Sequence, residues 1–148
     1  MSIKLKLEGY EDLLKDIEKA GGSINKSVEK CMKVSAETVE AELKAEMLKA
    51  NVPASLVNSM PPSSIEKEGN YTRAEVGYKK GSYNPKNLSD AYKVVYLNYG
   101  TPNRSQHGKI APGGKINLGF IQRAKRKATK KVKKQQEETL KKILGELK

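Results

Sequence analysis

The chain has 148 residues and a formal net charge of +12, from 29 Lys or Arg against 17 Asp or Glu. That length gives one domain, 1–148, with enough chain to bury a core unaided, while the single cysteine, Cys31, excludes an internal disulfide and fits a reducing compartment. Only 36 % of residues are hydrophobic and Trp is absent, which is lean for a compact monomer and suits burial completed against copies or neighbours.

Ile3, Leu5 and Leu7 alternate with Lys4, Lys6 and Glu8, which predicts a short half-buried strand ended by Gly9. Leu13, Leu14 and Ile17 then follow at helical spacing, with Glu11 and Asp12 at the positive end of a short helix. Gly21-Gly22 stops it, and Ser23 is the expected cap of a long helix over about 24–50. Ile24, Val28, Cys31, Ser35, Val39, Leu43 and Met47 form one stripe of that helix. Val34, Thr38, Ala41, Ala45 and Leu48 form a second, made largely of small residues, so other helices or subunits can approach closely. Pro53 bars helical geometry at the residue before it and ends the run.

Residues 53–93 read as a β-hairpin with its connections. Pro61-Pro62 confines the stretch from Leu56 to Ile65 to an edge strand or an irregular approach to one. Tyr71, Arg73 and Glu75 alternate with Thr72, Ala74 and Val76 after a turn, and Lys79 to Asp90 is polar and turn-forming. Tyr92 to Tyr99 reads as the best strand in the chain, because Val, Tyr and Leu favour a pleated surface. Tyr92 and Tyr96 then share one face of it and Tyr99 takes the other. Gly100 permits a turn closed to residues with a Cβ, and Pro102 removes a ladder donor. A Gly/Pro/Lys-rich exposed loop over about 101–116 leads to a final helix over about 117–147, with Asn117 as its cap. The expected fold is α+β: a small, mainly antiparallel sheet packed with two long helices, the last C-terminal and strongly basic.

The net positive charge is concentrated at the end of the chain. Residues 1–103 hold 15 Lys or Arg and 14 Asp or Glu, whereas residues 104–148 hold 14 and 3. Arg123 to Lys134 contains eight cations and no acid. Mixed charges would serve solubility and add helix-stabilising pairs, so this run is expected to be wet or bound to phosphate or acidic protein.

The order of segments resembles the tail-completion, or head–tail joining, proteins of long-tailed bacteriophages and prophages, which are minor tail components. The residues that carry the resemblance are the opening helix in Leu7 to Ile17, the Pro53 and Leu56-Val57-Asn58-Ser59 motif, Val94-Val95-Tyr96-Leu97-Asn98-Tyr99-Gly100-Thr101, and Phe120-Ile121-Gln122-Arg123-Ala124. The chain lacks the usual Asp-Thr-Gly near Pro53. It carries Asn98-Tyr99 where an acidic residue often precedes Gly-Thr, and its last motif is reduced from a longer Arg-Pro-Phe form. The resemblance implies a structural virion protein, assembled in the bacterial cytoplasm and resident in the tail or neck. It further implies a ring, usually of six subunits, joining the tail tube or tail terminator to head-closure or connector proteins, with non-specific contact to passing DNA. The contact residues it suggests are Tyr99, Gly100, Thr101, Arg104, His107 and Lys109 in the loop, and Arg123, Lys127, Lys130 and Lys134 on the helix.

Chemistry is sparse. His107 is the only histidine and sits in the loop; Cys31 lies among apolar helix positions; together they cannot make a zinc site. Gly108 to Lys115 lacks the spacing and the Lys-Ser/Thr of a phosphate loop. The expectation is therefore a non-enzyme with no catalytic, metal or cofactor residues. No apolar run approaches membrane-spanning length and no secretory signal opens the chain, so no membrane partner is expected. The rival reading is a small basic nucleic-acid-binding protein, which accounts for the cationic end but assigns no role to the Gly-Thr loop unit and matches no known binding motif. In that reading the tyrosines would stack on bases, whereas packing is the favoured role.

Overall fold

The computed structural model describes residues 2–68, 71–78, 89–100 and 118–148, together with the backbone of 104–106 and 109–111. It has the expected α+β architecture: a three-stranded antiparallel sheet packed with helices, two of them long. Strand β1 (Ser2–Leu5) precedes α1 (Glu11–Lys19) and α2 (Ile24–Lys49). A short α3 (Ala54–Asn58) leads to the hairpin of β2 (Ser64–Glu68) and β3 (Tyr71–Gly77). After α4 (Asp90–Tyr99), strands β4 (Arg104–Gln106) and β5 (Lys109–Ala111) pair with each other apart from the main sheet, and α5 (Phe120–Leu147) completes the chain.

The sheet order is β1-β3-β2, so β3 is central and buries Ala74 and Val76 completely. Strand β2 is an edge, as the two prolines before it require. Helix α2 lies across the sheet and α5 packs along α2 in the opposite direction. Glu46 near the end of α2 meets Arg123 near the start of α5, while Cys31 near the start of α2 meets Gln136. Ser23 caps α2, accepting from Lys26 N at 3.4 Å. Its other end closes with Asn51 at φ 58°, Asn51 N donating to Leu48 O (3.1 Å) and Val52 N to Met47 O (3.0 Å). That pattern satisfies the last carbonyls of the helix just ahead of Pro53.

Two cores result. The larger gathers Met32, Ala36, Val39, Leu43 and Met47 of α2 with β3, α3, α4 and the first half of α5. The smaller joins Ile17, Cys31 and Leu140, where α1 crosses the far end of α5. Gly22 allows this crossing, because a Cβ there would stand 2.5 Å from Leu147 Cδ1 and 2.6 Å from Ile17 Cγ2.

Short departures from expectation are α3, a helical turn at the start of a stretch expected as an edge strand or its irregular approach, and β4 and β5, which form within the expected loop; α4 is the large one. Residues 90–99 are a helix, not a strand, with Ala91, Val94 and Asn98 buried at helical spacing. Ser89 is extended before it and Asp90 stands in the first turn, where an anion favours the helix N-terminus. Tyr92 and Tyr96 consequently lie side by side one turn apart, with ring centroids at 6.5 Å and planes tilted by 42°. Tyr99 sits on their side of the helix (i, i+4, i+7) instead of opposite them. The last helix begins at Phe120, later than expected; the supposed cap, Asn117, lies outside the described residues.

Candidate functional site

The junction between α4 and α5 is built around one buried amide. Asn98 is completely buried; its Oδ1 accepts from Ile121 N at 3.0 Å and its Nδ2 donates to Gln122 Oε1 at 3.1 Å. Gly119, the residue before α5, has no side chain to cap the helix, so Asn98 satisfies an orphan N–H of the first turn from another element. Two backbone bonds fasten the same place: Leu118 N to Leu97 O (3.0 Å) and Gly119 N to Asn98 O (3.1 Å). Arg123 Nη1 adds a bond to Leu118 O at 2.5 Å. The described residues on either side of 101–117 are thus tied together in one knot.

Gly100 lets the chain leave. Its φ of 84° lies in the region that favours glycine, as the sequence suggested, and its N–H still bonds Tyr96 O at 2.8 Å. Tyr99 beside it is 54 % exposed. Of the loop residues singled out from the sequence, Thr101 and His107 lie outside the described residues, and Arg104 and Lys109 begin the paired strands β4 and β5.

The four helix residues fare differently from one another. Arg123 and Lys127 turn inward onto Glu46 of α2, a side chain only 3 % exposed; Arg123 Nε lies 3.1 Å from Glu46 Oε2, and Lys127 Nζ bonds Oε1. Lys131 repeats the arrangement one turn on with Glu42. The Lys127 hydrogen bond, assisted by Arg123 and opposed by burial, holds the Glu46 carboxyl below its ordinary range. Three of the eight cations of this stretch therefore form a zipper to α2, while their own side chains stay 40 %, 48 % and 60 % exposed. The helix packs through its middle as well, by way of Ala124, Ala128 and Val132.

The outward set is Lys125, Arg126, Lys130, Lys133 and Lys134. The first four make no ion pair among the described residues, and Lys134 reaches only the exposed Glu138 at 3.8 Å. Arg126 and Lys130 join Arg123 and Lys127 around a shallow groove. Local sequence could not have separated the two sets, because the selecting acids lie some eighty positions upstream.

Cys31 is fully buried and its thiol is pushed up to about 11 by that burial, the behaviour of a packing residue. Among the described residues no cluster of His, Cys, Asp or Glu is arranged to hold a metal, and no helix is long and apolar enough to cross a membrane. Comparison with protein-family models, with curated proteins and with solved structures found no match for this chain.

Proposed function

We propose that this chain is a structural protein of a phage or phage-like tail, assembling into a ring at the head-proximal end and joining the tail tube to head-closure proteins. The observation that carries the reading is the Asn98–Gly100 junction. It lies where the resemblance places an acidic residue before Gly-Thr, and there Asn98 fastens α4 to α5 and offers residues 101–117 from a fixed base. Such a fixed base suits a docking element set between rigid helices. Two further features support it. Leu48 of α2 is 56 % exposed and Ala41 is open beside it, so the small-residue stripe has room for a neighbouring subunit. The order of motifs along the chain supplies the rest, with one departure: the segment before Gly100-Thr101, a strand in the proteins it resembles, is a helix here.

Ring formation demands a head-to-tail contact that closes on itself. A charge of +12 opposes it until salt or an acidic partner screens the repulsion. Light scattering and electron microscopy at low and high salt, with and without the tail-tube protein, test the reading. Rings are expected with screening or with that partner, and Ala45→Arg is expected to prevent them. A monomer under every condition, partner excess included, sinks the proposal.

The groove lined by Arg123, Arg126, Lys127 and Lys130 favours a second reading, a sequence-independent nucleic-acid binder. Duplex DNA affinity that falls steeply with salt, in a chain that never forms rings, would select it.

A further inference from the structure

Strand β1 and helix α5 both flank α2, yet a groove of about 410 Å³ separates them. Its floor is apolar: Ile3, Val39, Ala128 and Val132. Ile3, Lys4, Leu5 and Lys6 all line it, although successive side chains of a strand point to opposite faces, so the strand meets the groove by its backbone edge. That edge is open among the described residues. Ser2 to Leu5 pair with Gly77 to Ala74 of β3 on one side, and β1 ends the sheet order on the other.

Two polar features mark what the groove accepts. Gln136 lines it and is only 4 % exposed, yet its buried Nε2 has no hydrogen-bond partner among the described residues. A carboxamide nitrogen is a donor, so the missing partner is an oxygen. Lys4, Lys6, Lys125 and Lys133 stand around the groove against a single acid, Glu8. A cleft with walls of one sign raises the local concentration of the opposite charge.

We propose that the groove takes an extended segment of a partner protein in which apolar and acidic residues alternate. The segment pairs with β1 as a fourth strand and covers about 13 Å, the length of four strand residues. Its apolar side chains fill the floor, its acidic ones meet the lysines, and a carbonyl or carboxylate oxygen accepts from Gln136 Nε2. A second copy of this chain is a poorer occupant, because the net charge of +12 on each copy opposes their approach. The proposal does not rest on the ring: an adaptor of any oligomeric state could present this edge.

The test uses the full chain, labelled with ¹⁵N, and a blocked peptide of alternating valine and glutamate. Added peptide should shift the amide signals of Ile3 to Lys6 and the side-chain amide of Gln136, and should slow hydrogen exchange along β1. Replacing the glutamates by lysine, or N-methylating alternate amides so that the strand cannot pair, should weaken binding at least tenfold. Lys125→Glu with Lys133→Glu should reverse the preference between the acidic and basic peptides while leaving the melting temperature in place. Unmoved β1 signals at millimolar peptide overturn the proposal, as does equal binding of the N-methylated or the basic peptide. Slowed exchange along β1 that grows with protein concentration alone also overturns it, in favour of self-association.

Discussion

At the scale of single residues, the junction and the zipper make opposite use of buried polar groups. Asn98→Ala leaves Ile121 N–H without its acceptor and opens a small void, so a loss of about 1–3 kcal/mol is expected in chemical denaturation. Asn98→Asp keeps the acceptor at a helix N-terminus but loses the donor to Gln122 Oε1 and buries a charge, so it is expected to recover only part of that loss. Equal loss in the two variants would show that packing and not capping sets the cost. Glu46 responds to pH. Its folded-state carboxyl lies below the usual range, chiefly through Lys127, so its contribution is complete above the ordinary carboxylate pKa and fades as pH falls through the lower folded value. A plot of melting temperature against pH should therefore have a shallower acid limb in Glu46→Gln than in the parent; identical slopes would show that the zipper adds nothing. Gly100→Val puts a β-branched residue at φ 84° and is expected to cost about 1–3 kcal/mol, whereas an unchanged melting temperature would mean the turn needs no glycine.

At the scale of elements, the chain is legible wherever local chemistry and tertiary demand agree. The long α2 begins after Ser23 and stops before Pro53, and alternation along Tyr71 to Val76 places Ala74 and Val76 inward, all as the sequence indicates. Helix α4 was hidden because Val94, Val95 and Tyr96 carry strong strand propensity, a weak prior that burial overrides. The signal that could have found it was punctuation: Ser89 and Asp90 at one end, Gly100 at the other, with Ala91, Val94 and Asn98 at helical spacing between them. The zipper was hidden for another reason. Glu42 and Glu46 look like ordinary surface charges until a helix from the other end of the chain is laid beside them. The consequence is practical. Charge reversal at Arg123 or Lys127 confronts a buried carboxylate and damages the fold, whereas Arg126→Glu, Lys130→Glu and Lys134→Glu change only the outward face. The triple variant at those outward positions should melt as the parent does and lose head–tail joining; particles completed at the parental yield would remove this face from the interface.

At the scale of the whole molecule, the lean composition is reconciled by small residues. Ala124, Ala128 and Val132 bring α5 close to α2, so a modest apolar content still closes a core around Phe120, the single phenylalanine. Among the described residues, the Leu48 side of α2 and the outer edge of β1 stay uncovered. The knot at Leu97, Asn98, Leu118 and Gly119 carries one more implication. Since Leu97 and Asn98 are tied to Leu118 and Gly119 by the domain itself, the two ends of 101–117 are held whatever cassette stands between them. Excising it for a short Gly-Ser bridge from Gly100 to Leu118 shortens a closed loop and should raise stability by about 1 kcal/mol at most. A cassette of different length or sequence should be accepted just as readily. A melting temperature that follows the cassette would show that the insert packs on the domain; one that stays at the parent's value would show that the fixed ends alone carry it.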